Sequence, residues 1–199
     1  MIKITNLSKN KPYLMFREHY LEALKAKQKF IEAVAISSYD ELTKQVDSRF
    51  VNLKYINNDQ WTFFSNYNSS KAEQFISNSN ISALFYWNSI NVQIRIKANI
   101  FKSSVSISDE HFGNRSLEKN SLAISSRQSK VIKSYEAVQE KYLKILNNTN
   151  SNKARPEYWG GYTFVPFQFE FWEGHQSRLN KRILYKSVEL NWEESFLEP

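Results

Sequence analysis

Residues Trp159 to Arg182 read WGGYTFVPFQFEFWEGHQSRLNKR. Phe167, Phe169 and Phe171 recur at every second position, with Gln168, Glu170 and Trp172 between them. That period of two predicts a β-strand with one face buried. Gly160-Gly161 punctuate its start and Gly174 marks the turn that follows. On extended chain beyond that turn, Arg178, Asn180 and Arg182 share one face while Leu179 and Ile183 share the other. Two arginines across a tight turn from Trp172 form a place to hold an anion beside a flat ring. The same spacing also fits a solvated cationic edge strand.

Outward from this stretch, composition narrows the classes. The chain has 199 residues, enough for one domain with a sizeable core. It is 41% hydrophobic and 15% aromatic, which argues against disorder throughout. It has no cysteine, so disulfides and thiolate chemistry are excluded, and His19, His111 and His175 lack metal-ligand spacing. No metal site is expected. A net charge of +7 points to an anionic partner. No basic block or helix-turn-helix pattern supports nucleic acid, and no apolar run supports a membrane span or signal peptide. The expected location is therefore cytoplasmic. With four glycines the chain carries neither GxGxxG nor GxxxxGK[ST], so a Rossmann fingerprint and a P-loop are both absent.

Residues 1–11 are polar and predict a flexible N-terminus. Pro12 suits a first helical position, and Leu14, Phe16, Tyr20, Leu21 and Leu24 give a helical stripe to about Lys25. Phe30 to Ser38 and Ser48 to Ile56 predict strands. Asn57-Asn58-Asp59 is a turn signal, and Trp61 to Ser65 returns from it as a hairpin strand. Ser69 or Ser70 can cap a helix to about Asn78, whose first turn carries Lys71. That helix start is a ready anion site, although a capped surface helix explains the same residues. Ile81 to Trp87 predicts a buried strand and Asn91 to Ser103 another. A short helix from Ser108 would put His111 and Arg115 one turn apart, and on the residues alone a solvated polar helix is the better explanation. Lys130 to Leu146 predicts a helix on the stripe Val131, Tyr135, Val138, Tyr142 and Ile145. Asn147 to Lys153 reads as a polar linker, and Val188 to Leu197 as a closing segment. The expected fold is mainly β with flanking helices, a barrel or strongly curved sheet, in a single domain over residues 12–199.

Several of these segments resemble one family. Trp159-Gly160-Gly161-Tyr162, Glu170-Phe171-Trp172, Gly174, Arg178-Leu179 and Arg182 resemble the C-terminal signature of the pyridoxamine/pyridoxine 5′-phosphate oxidases, which are FMN flavoproteins. Upstream, Arg49-Phe50-Val51-Asn52-Leu53-Lys54, Ser65 to Ala72, Gln93 and Ser125-Ser126-Arg127-Gln128-Ser129 are similar to further family segments, so the likeness spans Pro12 to Pro199. It implies an FMN-binding split β-barrel, a homodimer with flavin at the subunit interface, and residues 156–199 as a dimerisation and active-site segment. The FMN contacts it implies are Arg49, Phe64, Ser65, Lys71, Gln93, Gln128, Ser129, Trp172 and Arg182. The implied substrate contacts are Lys54, His111, Arg115, Arg178 and Asn180, with Arg178 and Asn180 at the reacting group. Strict alternation puts Arg49 and Lys54 on opposite strand faces, so a shared site needs a bulge or adjacent pockets.

The reaction implied is hydride transfer from an aromatic ring's amine or alcohol carbon to flavin, with oxygen as final acceptor. Against the family pattern, Ser70 replaces arginine, Ala98 glycine, His111 tyrosine, Lys119 serine and Asn180 histidine. Leu122-Ala123-Ile124 stands where vitamin-oxidising members carry Gly-Ala-Trp, which is closer to the phenazine-biosynthesis branch, whereas Trp159-Gly160-Gly161 points to the vitamin branch. Three readings follow: a pyridoxamine/pyridoxine 5′-phosphate oxidase, a sister flavin oxidase of another aromatic metabolite, or a flavin-binding protein without turnover.

Overall fold

A computed structural model describes residues 1–148, 154–189 and 191–199. Among the described residues, ten strands form one sheet and five helices flank it. In chain order the elements are β1 (Lys3–Thr5), α1 (Lys11–Lys25), β2 (Ala33–Asp40), β3 (Gln45–Asn52), β4 (Tyr55–Asn57), β5 (Gln60–Asn66), α2 (Ser70–Ser77), β6 (Asn80–Trp87), β7 (Val92–Lys102), α3 (Val105–Gly113), α4 (Leu117–Ser125), α5 (Tyr135–Leu146), β8 (Trp159–Glu173), β9 (Lys181–Val188) and β10 (Asn191–Leu197). The sheet runs β1-β4-β5-β8-β7-β6-β2-β3, with β9 added to β8 and β10 to β9. Among the described residues its two ends do not pair, so the sheet is split rather than closed.

β8 organises this sheet. One of its edges pairs with β7 from Tyr162 to Glu173, while the other takes β5 over Trp159–Phe164 and then β9 over Gln168–Glu173. The handover falls at Pro166, which has no N–H to give a ladder, and the β7 register shifts beside it between Lys97 and Ala98. That irregularity corrects the alternation. Phe169 and Phe171 are buried as expected, but Phe167 is only half-buried, and Glu170 on the other face is buried. At the start of β8, a side chain on Gly160 would overlap Tyr67 and Ser108, and one on Gly161 would overlap Ser103. The glycine pair therefore lets β8 pass close beneath these residues.

The core is aromatic. Phe16 from α1 packs on Trp61 at 4.4 Å and on Phe85 and Trp87 at 5.5 Å between ring centres. The helix buries Tyr13, Phe16, Tyr20 and Ala23, whereas Leu21, expected in the stripe, is 48% exposed.

The N-terminal residues expected to be flexible start instead with β1, which pairs in parallel with β4. Ile2 is buried there, and its N–H donates to the Tyr20 hydroxyl at 3.0 Å. The expected strand Ser48 to Ile56 is two strands, because the chain leaves β2 after Asn52 and joins β5 at Tyr55. At this break the Leu53 N–H donates to the Glu32 carbonyl and the Lys54 N–H to the Thr62 carbonyl. α3 begins at Val105, capped by Ser104, and ends before Arg115, while α4 is an element that the sequence reading missed. α5 starts at Tyr135 under a Ser134 cap, leaving Val131 fully exposed. The linker expected over Asn147 to Lys153 lies outside the described residues from position 149, as does Leu190 of the closing segment.

Candidate functional site

The strand break at Leu53-Lys54 has a functional consequence: Arg49 and Lys54 line the same cavity. This cavity has a volume of about 800 Å³, within the range of small-ligand sites, and Phe64, Ser65, Lys71, His111, Arg115, Lys119, Gln128, Ser129 and Trp159 also line it. Five of these side chains are lysine or arginine. Trp159, Phe64 and His111 make a flat wall, with His111 stacked on Phe64 at 3.7 Å and Phe64 on Trp159 at 5.5 Å between ring centres.

Lys71 is the most telling group. It sits in the first turn of α2 and is only 6% exposed. Its Nζ donates to Ser65 Oγ and Ser69 Oγ, both at 3.2 Å, and among the described residues no carboxylate lies within ion-pair distance. Burial, together with the Arg49 charge, pushes its pKa down to about 8. No side chain caps α2, because Ser69 Oγ donates back to the Asn66 carbonyl at 2.7 Å. A buried ammonium without a counter-charge, beside uncapped helix N–H groups, is arranged to meet an anion.

Arg49 is held from behind. Its Nη1 donates to Ser38 Oγ at 2.6 Å and its Nη2 to Gln74 Oε1 at 2.9 Å. Gln74 is itself buried and donates from Nε2 to Asp47 at 2.6 Å. Gln128 Oε1 accepts from Ser65 Oγ and from the Asn66 N–H, both at 3.3 Å, which ties the segment after α4 to β5. Ser129 takes a left-handed φ of 70° next to it.

At another part of the cavity, the Arg115 guanidinium lies 4.3 Å from the Trp159 ring centre and donates to Asn120 Oδ1 and the Lys119 carbonyl. His111 Nδ1 is 2.7 Å from the Tyr55 hydroxyl. Burial and then the charges of Arg115, Lys54 and Lys119 bring the His111 pKa down to about 4, so its ring is neutral at pH 7. Sequence reasoning missed Tyr55, Ser38, Gln74, Trp159 as a cavity wall, and Asn120. Only contacts made in three dimensions identify them.

The remaining expected site residues stand elsewhere. Gln93, Trp172 and Arg182 are cross-strand neighbours on β7, β8 and β9. Arg182 donates from Nε and Nη2 to buried Glu170 at 3.1 and 2.8 Å and from Nη1 to the Glu198 carbonyl at 2.8 Å, while Arg95 holds the other Glu170 oxygen at 3.0 Å. Arg178 and Asn180 lie in the β8–β9 loop rather than on extended chain, so the expected shared face with Arg182 is absent. Arg178 has a φ of 62° and is exposed, and Asn180 Oδ1 accepts from the His175 N–H at 3.0 Å. None of these five residues lines the cavity. Trp159 and Trp172 bound the two ends of β8, about 40 Å apart along the strand at roughly 3.3 Å per residue.

A split sheet of this strand order, with helices packed on it, defines the split-barrel class. The chain belongs to the pyridoxine/pyridoxamine 5′-phosphate oxidase family. A relative of that name from Burkholderia thailandensis is 34% identical over 174 residues, covering 87% of this chain and 81% of the relative. One from Leptospira interrogans is 31% identical over 190 residues, covering 94% and 88%. The family model described as the pyridoxine 5′-phosphate oxidase C-terminal dimerisation region matches residues 159–199. Among solved structures, PhzG from Burkholderia lata 383, in complex with tetrahydrophenazine-1-carboxylic acid, shares the fold with a TM-score of 0.90 at 23% identity, covering 96% of this chain and 93% of its own. A pyridoxamine 5′-phosphate oxidase-related, FMN-binding protein from Nostoc punctiforme gives a TM-score of 0.77 at 13% identity, covering 96% and 99%. Among the described residues, no helix is long and apolar enough to cross a membrane.

Proposed function

We propose that this chain is an FMN-dependent oxidase of a phosphorylated pyridine of the pyridoxine/pyridoxamine class, working as a homodimer. The observation that carries the reading is Lys71, a buried ammonium without a carboxylate, in the uncapped first turn of α2. The residues present fit FMN: Lys71, Arg49, Ser65, Gln128 and Ser129 would hold its phosphate end, since five cations line the cavity against one carboxylate, Asp47, which lies 3.7 Å from Arg49 and leaves Lys71 uncompensated. The other half of the site, Gln93, Trp172 and Arg182 with the Arg178–Asn180 loop, would come from the second copy of the chain, whose residues 159–199 match the family's dimerisation region.

When bound, FMN supplies the hydride acceptor and returns its electrons to oxygen. Lys54, Arg115, Lys119 and His111 fix the substrate's phosphate. The Trp159 and Phe64 wall excludes water from one side of the site. The partner subunit's Arg178 orients the carbon that loses hydride, a contribution of positioning rather than of proton transfer. Asn180 cannot take a proton, and its carbonyl oxygen is already engaged by its own loop. That observation favours a second reading, an oxidase of a different aromatic metabolite, in which the amide only hydrogen-bonds a substrate oxygen.

The test is optical. Purified chain incubated with FMN should be yellow, and anaerobic pyridoxamine 5′-phosphate should bleach it. A protein that retains no FMN would defeat the reading. A yellow protein that pyridoxamine 5′-phosphate does not bleach would favour the second one.

A further inference from the structure

The contact between Tyr55 and His111 joins a strand and a helix that the sequence separates by 56 positions. His111 lies flat on Phe64 at 3.7 Å and 8° between rings, which fixes the plane of its ring. In that orientation Nδ1 meets the Tyr55 hydroxyl at 2.7 Å, and no other hydrogen bond of that hydroxyl is seen among the described residues. If Nδ1 carried the imidazole proton, the phenol hydrogen would have no protein acceptor among the described residues. If the phenol donates to Nδ1, both groups are satisfied and the proton must reside on Nε2. Burial first, and Glu110 second, raise the Tyr55 pKa, so the phenol keeps its hydrogen. Burial first, and then the charges of Arg115, Lys54 and Lys119, keep the imidazole neutral, which makes it a one-hydrogen donor.

We propose that Tyr55 is a positioning residue that locks His111 in its Nε2–H tautomer, so that His111 joins Lys54, Arg115 and Lys119 as a neutral donor to a phosphoryl oxygen. This rests on the phosphorylated-substrate reading above and deepens it. A neutral donor adds a directed hydrogen bond to the three cations without a fourth repelling charge. The reversed tautomer would turn an acceptor lone pair toward the anion, so the hydroxyl of Tyr55 selects between attraction and repulsion at that point.

The experiment is nitrogen NMR of the imidazole side chains in the FMN-incubated full chain, with His111 assigned by its loss in His111→Gln. Inorganic phosphate serves as the probe. The wild-type ring should show the Nε2–H tautomer, and phosphate should shift the Nε2 resonance. In Tyr55→Phe the tautomer should become mixed, and phosphate should bind about tenfold more weakly, the scale of one misdirected hydrogen bond. An Nδ1–H tautomer in the wild type overturns the proposal whether or not the variant folds. So does a Tyr55→Phe chain with unaltered phosphate affinity. A locked ring that responds to phosphate, in a protein whose flavin pyridoxine 5′-phosphate never reduces, would uphold the Tyr55 assignment and sink the vitamin-oxidase reading alone.

Discussion

Replacing Lys71 by methionine should move apoprotein stability and FMN affinity in opposite directions. The Lys71 pKa falls from 10.5 to about 8 on folding, and each unit corresponds to about 1.36 kcal/mol, so the charged form costs up to about 3 kcal/mol at pH 7. Methionine keeps most of the volume and removes that cost. The hydroxyls it leaves behind stay paired, Ser69 with the Asn66 carbonyl and Ser65 with Gln128. A net gain of about 1–3 kcal/mol should follow, which in a domain of this size raises Tm by roughly 2–4 °C per kcal/mol. The same change deletes a charge-assisted bond to the FMN phosphate, worth about 1.5–3 kcal/mol, so Kd should rise roughly 10- to 100-fold. Thermal melts of the apoprotein and FMN titrations followed by flavin fluorescence measure both. A less stable apoprotein with unchanged FMN affinity would show that the ammonium supports the fold rather than a ligand.

Other expectations follow from the same contacts. The His111 pKa is lowered on folding, so between pH 6.5 and about 4 the unfolded chain binds the extra proton and stability falls as pH falls. Because the ring is only partly shielded, the loss should be of the order of 1–2 kcal/mol in denaturant melts, and absent in His111→Gln. Gln74→Leu should weaken FMN binding several-fold and destabilise the chain by about 1–3 kcal/mol, since it strips partners from Arg49, Ser38 and Asp47. Asn180→His should raise turnover of pyridoxine 5′-phosphate in a steady-state peroxide assay, and unchanged kinetics would deny position 180 a place at the reacting group.

The long strand was legible because its glycine pair and phenylalanines carry a strong local signal. The departure of Phe167 was not, since it depends on the register against β7 and on the missing N–H of Pro166. Arg49 and Lys54 looked incompatible on one strand, and only the switch of pairing partner from β2 to β5 reconciles them. Lys71 was readable from its place after two serines. Its burial and lack of a counter-charge were not, and those properties carry the functional argument. α4 escaped notice because LEKNSLAIS buries only Asn120, Ser121 and Ala123, so it shows no apolar stripe. Tyr55 follows Lys54 directly and has no pattern of its own. Its role arises from a helix 56 residues later.

On the proposed function, each flavin site is built from the α2 cavity of one copy and the β8–β9 end of another. Subunit mixing tests it most directly: chains carrying Lys71→Met are refolded together with chains carrying Arg182→Ala, and bound FMN is counted. Each variant alone damages every site it forms, but a mixed dimer contains one site with both residues intact, so tight FMN binding should return to about one flavin per mixed dimer. If mixing restores no tight binding although both variants pair, the two halves of the site do not meet across subunits.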